Sequence, residues 1–462
     1  MKTTLRERRY AQAHFHEVHH TTLDPEGPGV VRIHLVPPVL KDGEVGASVA
    51  ILNGQDVIPV NRAWSILLTE FIEEVNRYAG REITDADARE IVRRTVEAVR
   101  KVYPLTGRKR LERDIHTIMQ TFRKVARGEP ADEQIAALRL GDYAPLMRAP
   151  HRMDLLVSAM TRDGAWNCNQ RCVHCYAAGQ VHAEEPELST EEWKKIIDRC
   201  REIGIPQLTF TGGEPTMRED LTELIDHARW FITRLNTNGV RLTREYCARL
   251  RAASLDSVQI TLYSADEAVH DTLVGAPHWK DTVAGIRNAL AAGLSLSVNT
   301  PLCTLNRDYP ATLRFLHEKG VRYVTCSGLI TTGNAATGKS ERLQLTNAEI
   351  REVLQESVEY CFANGMEISF TSPCWVDEEF CTWLGITTPS CGACLSNMAV
   401  TPGGSVVPCQ SWLNGETLGS LLTDDWAEIW SGEACVRRRN FAAQMRGECP
   451  LRIPRKREEA AR

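Results

Sequence analysis

Three cysteines lie close together in the segment WNCNQRCVHCYAAG, where Cys168, Cys172 and Cys175 form a C-x3-C-x2-C pattern. These spacings allow three sulfur atoms in a short loop to face one centre, and iron–sulfur clusters are held by thiolates. Three protein ligands suit a four-iron cluster with one iron left open to bind and polarise a substrate or cosubstrate. The alternatives are simple burial or a zinc site, but zinc sites favour two C-x2-C pairs or added histidines.

The composition is typical of a cytoplasmic globular protein. Hydrophobic residues make up 43% of the 462 residues, charged residues 25%, and the net charge is −5. This charge gives no support for a nucleic-acid partner, and no stretch reaches the roughly 18 apolar residues that a membrane span needs. All fifteen cysteines lie at or after residue 168. In the cytosol we expect them to bind metal, act in catalysis or be buried rather than form disulfides.

A predicted helix and strand follow the three cysteines. The segment ELSTEEWKKIIDRCREIG has Ser189 or Thr190 as N-cap and apolar residues at helical spacing. It leads into PQLTFTGGEP, which predicts a strand that ends in a turn. Gly212 and Gly213 allow the backbone to approach a ligand closely, and Glu214 offers a carboxylate at the carboxyl end of the strand.

This order of motifs resembles the radical S-adenosylmethionine (SAM) superfamily, because GGEP begins 37 residues after the last cysteine of CNQRCVHCY. The resemblance implies that the three cysteines hold a 4Fe-4S cluster whose fourth iron binds SAM. It also implies that the turn from Gly212 to Pro215 holds the amino group of SAM. Reductive cleavage of SAM would then yield a 5'-deoxyadenosyl radical that abstracts hydrogen from a substrate.

Alternating strand and helix patterns predict an α/β fold with a parallel sheet. Six segments are candidate strands: RMDLLVSAMTRDG, LTFTGG, WFITRLNTNG, SVQITLYS, LSLSVNTPL and VRYVTCSGLI. Their number matches the partial (β/α)6 TIM barrel of the superfamily. Ligands of parallel barrels lie at the carboxyl ends of strands. The polar residues at these ends, which either line the pocket or merely cap turns, are Asn236, Asn238, Ser264, Asn299 and Ser327.

The resemblance suggests roles for individual residues of the SAM pocket. Ser264 and Asn299 would contact the ribose or methionine part of SAM. His174 and Tyr176, which flank the third cysteine, would cover the adenine or shield the cluster; the alternative is plain packing of the loop. The predicted cofactor-binding residues are His174, Tyr176, Gly212, Gly213, Glu214, Pro215, Asn238, Ser264 and Asn299.

A second group of cysteines lies near the carboxyl end. NMAVT and SVVPC flank a Pro-Gly-Gly turn, which predicts a hairpin that brings Cys394 and Cys409 together. The hairpin resembles the SPASM/twitch extensions of radical SAM enzymes, whose C-x9-15-G-x4-C pattern it matches. The sequence continues as LRIPRKREEAAR without further closely spaced cysteines, so we expect one auxiliary iron–sulfur cluster. Its predicted ligands are Cys391, Cys394, Cys409 and Cys449, and Cys374, Cys381 or Cys435 lie close enough to replace one of them.

The predicted domains are an accessory α+β domain over 1–150, a radical SAM partial barrel over 151–345 and a SPASM/twitch-like domain over 346–462. The accessory domain resembles a winged-helix peptide-recognition element, and a packing or dimerisation domain is the alternative. Because relatives with this extension mostly modify ribosomally made peptides, we expect a peptide maturase with a flavodoxin or ferredoxin as electron donor. The alternatives are a radical SAM enzyme that acts on a small metabolite or lipid, and a non-catalytic iron–sulfur electron carrier.

Four histidines near the amino terminus, His14, His16, His19 and His20, have spacings that suit a metal site on a helix. No carboxylate or cysteine partner is apparent in the sequence around them. We therefore do not expect a metal there.

Overall fold

The computed structural model describes residues 2–23, 31–38, 40–41, 43–46, 48–52, 56–79, 81–126, 144, 147–336, 342–444 and 447–452. The chain forms two units. The first comprises Met1–Ala149 with Arg201–Pro206, and the second comprises Pro150–Cys200 with Gln207–Arg462. No helix among the described residues is both long and apolar enough to cross a membrane.

The first unit combines helices with a four-stranded antiparallel sheet in the order β1-β2-β5-β6. Its elements in chain order are α1 (Leu5–His14), β1 (His19–Leu23), β2 (Val31–Val36), β3 (Leu40–Lys41), β4 (Glu44–Val45), β5 (Ser48–Leu52), β6 (Asp56–Val60), α2 (Arg62–Asn76), α3 (Asp85–Val102) and α4 (Arg108–Ala126).

Local signals in the sequence explain where these helices begin. Thr4 and Thr84 each accept a hydrogen bond from the third helical residue, whose carboxylate binds back to the threonine N–H. The sequence GASVAILNGQDVIPV predicts two short strands around Asn53-Gly54 that lead into a helix. The antiparallel pairing of β5 with β6 before α2 confirms the two strands. Asn53-Gly54, the predicted turn between them, lies outside the described residues. The winged-helix assignment stays a prediction.

The second unit is built on a ten-stranded sheet in which seven strands follow one another in parallel. These parallel strands are β7 (Arg152–Ser158), β10 (Gln207–Gly212), β11 (Ile232–Thr237), β12 (Ser257–Thr261), β13 (Ser295–Pro301), β14 (Tyr323–Ser327) and β15 (Glu367–Phe370). Between the first two lies a small hairpin of β8 (Thr161–Arg162) and β9 (Ala165–Trp166). All six predicted strands are present, and the partial TIM barrel is the fold of this unit. The seventh parallel strand, β15, adds to the six that the sequence predicted.

Helices connect the parallel strands. They are α5 (Thr190–Ile203), α6 (Leu221–His227), α7 (Arg244–Ala252), α8 (Glu267–Val274), α9 (Trp279–Ala291), α10 (Tyr309–Glu318) and α11 (Asn347–Ala363). Ser189 caps α5, since its Oγ accepts a hydrogen bond from the Glu192 N–H and its own N–H donates to the Glu192 carboxylate at 2.9 Å. Trp193, Ile196, Ile197 and Cys200 form the buried face of α5, as the apolar spacing predicted.

The predicted carboxyl-terminal hairpin is confirmed and continues the barrel sheet. The remaining elements are α12 (Glu378–Leu384), β16 (Asn397–Val400), β17 (Ser405–Val407), β18 (Gly419–Ser420), α13 (Trp426–Ser431) and α14 (Glu433–Ala443). Strand β16 pairs antiparallel with β17 and parallel with β7. The hairpin that carries the second cysteine group is therefore hydrogen-bonded to the first strand of the barrel. The division of this unit at residue 345 stays a prediction.

Packing of the connecting helices can be tested at Leu316, which is fully buried on α10. We expect Leu316→Ala to lower the free energy of unfolding by about 2–5 kcal/mol, because it removes apolar contacts and leaves a cavity. Leu305→Ala is the matched control, since Leu305 is 47% exposed, and we expect it to change stability by no more than ~0.5 kcal/mol. Urea titration followed by circular dichroism measures both, and equal shifts would contradict the assigned packing.

Candidate active site

The loop with the first three cysteines follows β9 and is fixed by backbone hydrogen bonds to other segments. The N–H groups of Arg171 and Val173 donate to the carbonyls of Val274 and Leu273 at 2.9 and 3.0 Å. On the other side of the loop, the N–H of Asn334 donates to the Cys175 carbonyl at 2.9 Å. The loop conformation is therefore set by the end of α8 and by the segment after β14.

The three thiols are half-buried and lie in one electrostatic environment. Burial, together with the charges of Glu214 and Cys175, raises the pKa of Cys168 to about 12. The pKa of Cys172 is raised by burial and then by Cys175 and Cys168. Each thiol therefore lies within electrostatic reach of another, and buried thiolates at this place need a cation to stabilise their charge.

Three thiols are the metal ligands that this loop offers. Structural zinc sites have four protein ligands, and catalytic zinc sites with three protein ligands usually include histidine. The donor set of three thiols is the one that a 4Fe-4S cluster with an open iron requires.

His174 is buried beside these thiols, with 6% of its surface exposed. Neither ring nitrogen has a hydrogen-bond partner within the described part of the chain. The ring packs edge-on against Tyr263 at a centroid distance of 5.0 Å, and burial lowers the His174 pKa to about 4. A neutral imidazole with unpaired buried nitrogens fits a site that a polar ligand completes.

The Glu214 carboxylate lies in the interior and binds two strand ends together. Its Oε1 accepts hydrogen bonds from the Thr216 N–H and hydroxyl and from the Thr237 hydroxyl, at 3.1, 2.6 and 2.6 Å. Its Oε2 accepts only the Asn238 N–H, at 2.8 Å, among the described residues. Burial raises the Glu214 pKa, although these bonds oppose the shift. Oε2 thus keeps a lone pair for one further donor.

The two glycines before Glu214 are required by close backbone packing. A Cβ on Gly212, whose φ is +136°, would lie 2.3 Å from the Ser158 carbonyl oxygen. The Gly213 N–H donates to that same carbonyl at 2.7 Å. Their close approach is therefore to the end of β7. Pro215 begins a short 3-10 helix, Pro215–Met217, that turns the chain away from the strand end.

The other predicted pocket residues lie at successive strand ends. Asn238 donates through Nδ2 to Asn169 Oδ1 in the cysteine loop at 2.6 Å, which links β11 to that loop. The Ser264 hydroxyl accepts the Asp266 N–H at 3.0 Å, as a turn-capping serine does. Asn299 accepts the Thr325 hydroxyl at 2.9 Å on the sheet face. Only the first of these contacts joins a rim residue to the cysteine loop.

One face of the barrel sheet carries polar side chains that the sequence analysis did not single out. Arg234 donates to Ser297 Oγ at 3.2 Å, and Gln259 Nε2 donates to Thr325 Oγ1 at 3.1 Å. Each bond skips one strand, from β11 to β13 and from β12 to β14. Neighbouring strands are about 4.8 Å apart, and the inward curvature of a barrel sheet brings side chains two strands apart within hydrogen-bond reach. Strands of a parallel sheet are usually apolar on both faces. The alternation of polar and apolar residues in these strands is therefore the sequence signal that could have indicated a polar face.

Arg234 lies on this face together with Arg152 and Asp154 of β7. Burial lowers its pKa to about 10, the nearby Arg152 charge adds to that shift, and the Asp154 carboxylate opposes it. Its Nε has no partner within the described residues. A buried guanidinium with an unused donor provides a binding position for an anionic or carbonyl group.

The second cysteine group includes one residue that was predicted only as a replacement. Cys409 has its pKa raised to about 12 by burial, and the charges of Cys391 and Cys449 add to the shift. The Cys449 N–H donates to the sulfur of Cys374 at 2.5 Å. Cys374, Cys391, Cys409 and Cys449 are therefore linked as one group.

Cys394 lies between this group and Cys435. A hydrogen bond with the Cys435 thiol and burial raise the Cys394 pKa, and Cys409 contributes as well. Its N–H donates to the Pro408 carbonyl at 3.1 Å across the hairpin. Cys381 is buried. The groups that affect its pKa include Thr388 and Asp377 but no other cysteine, so it is not linked to either cysteine group.

Tyr176 lies between the two cysteine groups. Burial raises its pKa, and the charges of Cys175, Asp154 and Cys409 raise it further. Its ring packs in the same apolar cluster as Cys168 and Cys175, beside Ala399 and Val407 of the hairpin. Tyr176 is thus placed to separate the two sites from each other.

Family models match both sites. The model of the radical SAM superfamily matches residues 167–316, and the SPASM model, an iron–sulfur cluster-binding domain, matches residues 391–451. Residues 167–316 therefore form a radical SAM domain and residues 391–451 a SPASM domain. The first domain implies a 4Fe-4S cluster and SAM, and the second implies auxiliary iron–sulfur binding.

The chain is similar to radical SAM proteins with different substrates. It is 29% identical over 292 residues to the PqqA peptide cyclase of Streptomyces rochei, across 61% of this chain and 78% of that protein. It is 35% identical over 188 residues to the Fe-coproporphyrin III synthase of Methanosarcina barkeri, across 39% of this chain and 47% of that protein, so it matches about half of the latter. In fold it is similar to Streptococcus suis SuiB bound to its precursor peptide SuiA, with a TM-score of 0.57, 13% identity and coverage of 84% and 86% of the two chains.

Crowding of the cysteine loop can be tested at Gly333. A Cβ on this residue would lie 2.5 Å from the carbonyl oxygens of Cys175 and Tyr176, and its φ is +57°. We expect Gly333→Ala to distort the loop and reduce the iron content of the anaerobically reconstituted protein. Gly320→Ala is the matched control, because its φ is +87° and nothing lies within 4 Å of its added Cβ.

Both variants strain a left-handed backbone by roughly 1–2 kcal/mol. Only Gly333→Ala adds the clash, so only it should lose iron. Equal iron content in the two variants, measured per chain, would contradict the crowding.

Proposed function

We propose that this enzyme modifies a side chain of a ribosomally made peptide or protein by hydrogen abstraction. The observation that carries the proposal is the position of the cysteine loop, which joins through Asn169 and Asn238 to the rim of a concave sheet face lined with polar groups. A substrate that enters this face would present its reacting carbon at the strand ends where the cysteines lie.

Cys168, Cys172 and Cys175 would hold the 4Fe-4S cluster. When bound, the cluster and SAM supply a radical that removes hydrogen from an unactivated carbon. The three thiols are half-buried, so a bound substrate would have to exclude the remaining water from this chemistry. His174 would shield the cluster or bind SAM through its unpaired nitrogens.

Glu214 would fix the methionine end of SAM. Its Oε2 has room for one further donor, and an ammonium group would satisfy both that lone pair and the carboxylate charge. Gly212, Gly213 and Pro215 would shape the turn that presents it. Asn238, Ser264 and Asn299 would line the rest of the cofactor pocket, and Tyr176 would close it on the side of the hairpin.

For the auxiliary cluster we propose the ligands Cys374, Cys391, Cys409 and Cys449, with Cys394 beside them. This set differs from the sequence prediction at one position. The Cys449 N–H bound to the Cys374 sulfur supports the change, as N–H groups commonly donate to ligating sulfurs. The Cys394 thiol is hydrogen-bonded to Cys435 instead, so we do not place it among the four ligands.

The peptide substrate is favoured by the breadth of the similarity to the PqqA peptide cyclase, which extends over 61% of this chain. The first unit would bind a leader segment of the substrate as an added strand on its sheet. We propose a cytosolic enzyme with a flavodoxin or ferredoxin as electron donor.

A tetrapyrrole is the second candidate substrate, because a relative at 35% identity is an Fe-coproporphyrin III synthase, which forms that porphyrin, and a relative at 30% identity is an AdoMet-dependent heme synthase. The two readings separate in one assay. The reconstituted enzyme with SAM and a reductant is incubated with a short peptide encoded beside its gene, and separately with Fe-coproporphyrin III. Loss of two hydrogens from the peptide supports the proposal, and decarboxylation of the porphyrin alone contradicts it.

The role of the first cysteine group predicts the effect of Cys172→Ala. We expect this variant to lose SAM cleavage while it keeps the iron of the auxiliary site, because the two groups have separate ligands. The reconstituted wild-type protein should contain about eight irons per chain and the variant about four. Formation of 5'-deoxyadenosine and iron content are measured together, and loss of all iron would contradict two independent sites.

The buried Arg234 predicts a separation of substrate use from SAM cleavage. We expect Arg234→Met to lower the modified product formed per SAM cleaved by roughly tenfold or more, because it removes a charged hydrogen-bond donor from the concave face. Arg249→Met, at an exposed position on α7, is the matched control and should retain the wild-type ratio. A normal ratio in Arg234→Met would exclude contact between Arg234 and the substrate.

A further inference from the structure

The first unit brings two histidines together with two carboxylates that the sequence did not connect. His14 ends α1 and His19 begins β1, while Glu70 and Glu73 lie three residues apart on α2. Residues with this spacing on a helix share one face. The long sequence separation of about 55 residues explains why no carboxylate partner was visible near the histidines.

Distances within this group suit a divalent cation. One ligand atom each from His14, Glu70 and Glu73 lies within 4.8 Å of the others. His14 Nδ1 and Glu73 Oε1 are 3.3 Å apart. Two ligands on one tetrahedral zinc lie about 3.3 Å from each other, given bonds of about 2.0 Å. The pair is therefore already at the separation that zinc imposes.

The second histidine supplies an independent observation. His19 Nε2 is 2.9 Å from the His14 carbonyl oxygen, and a carbonyl only accepts, so this nitrogen carries a proton. In the neutral ring, Nδ1 then holds a lone pair, and it lies 3.8 Å from Glu73 Oε1. A cation at this place, either a second proton on the ring or a metal ion, would satisfy both lone pairs. A backbone carbonyl bound to the outer nitrogen is also the usual way in which a ligating histidine is oriented.

Packing around the group agrees with this. Tyr10 stacks on the His14 ring at a centroid distance of 4.3 Å and an interplanar angle of 13°, which fixes the ring plane. The side chains of His14 and Glu73 are 33% and 38% exposed, so an ion can enter from solvent.

We propose that His14, His19, Glu70 and Glu73 bind one zinc ion in the first unit, separate from the iron–sulfur sites. Two imidazoles and two carboxylates form a closed set of four protein ligands, the arrangement of a structural zinc site. The ion joins the end of α1 and the start of β1 to α2. His16, which is exposed, and His20, whose ring packs against His34 at 4.4 Å, are outside the set.

The test uses the holoenzyme with its iron–sulfur clusters assembled, so that cluster cysteines do not capture zinc. After equilibrium dialysis against Zn²⁺, we expect one zinc per chain by elemental analysis. The zinc absorption edge should show only nitrogen and oxygen neighbours at about 2.0 Å, without sulfur at about 2.3 Å. Absence of zinc, or a sulfur shell, would overturn the proposal.

Variants identify the ligands. We expect Glu73→Gln to weaken zinc binding by at least tenfold, because it removes the carboxylate that both histidines approach. His16→Gln is the matched control and should bind zinc as the wild type does. Glu70→Gln is a second ligand variant in case Glu73→Gln does not fold. Full zinc content in either folded ligand variant would contradict the site.

The melting temperature of the protein gives a second measure of zinc binding. An ion that binds only the folded state raises the melting temperature. We expect Zn²⁺ to raise the melting temperature of the wild-type and His16→Gln holoenzymes, with no rise for Glu73→Gln. Equal shifts for Glu73→Gln and wild type would show that zinc acts elsewhere.

Discussion

The chemistry of the second unit depends on three thiols that one partly buried loop holds close together. Burial and mutual repulsion raise the pKa values of Cys168 and Cys172, so their thiolates are unfavourable without a cation. A bound metal centre stabilises the thiolates, so its binding free energy offsets the cost of ionising the thiols. The backbone bonds that fix the loop to α8 and to the segment after β14 place the sulfurs before any metal arrives.

The parallel sheet gives this loop its chemical surroundings. Every parallel strand ends on the same edge, so Glu214, Asn238 and the cysteine loop meet although they are distant in sequence. The same sheet continues through β16 into the hairpin with Cys409. Tyr176 lies at the junction, because the charges of both Cys175 and Cys409 raise its pKa. One continuous sheet thus sets the geometry of both cysteine groups.

Local patterns in the sequence predicted much of this arrangement. The C-x3-C-x2-C spacing, the Gly-Gly-Glu-Pro turn and the Pro-Gly-Gly hairpin are short-range signals, and each element formed where the sequence indicated it. Contacts between distant residues were harder to predict. Nothing near Cys449 in sequence points to Cys374, and nothing near His14 points to Glu73. Both pairs are joined only by tertiary packing.

Polar residues on strands were overlooked for another reason. Arg234 and Gln259 lie inside strands, whereas the ligand positions expected of a parallel barrel are the strand ends. Their alternation with buried apolar residues is visible in the sequence, but the meaning of that alternation depends on the sheet being curved. Strand β15 was missed because four residues, EISF, give too short a pattern to separate from a loop.

The most direct test of the account is electron–nuclear double resonance on the anaerobically reduced enzyme with SAM labelled by ¹⁷O in its carboxylate. The account predicts a hyperfine coupling between the label and the reduced cluster, because Cys168, Cys172 and Cys175 would leave one iron free to bind SAM. A reduced cluster with no coupling to the label would mean that the iron is closed, and would contradict the central claim.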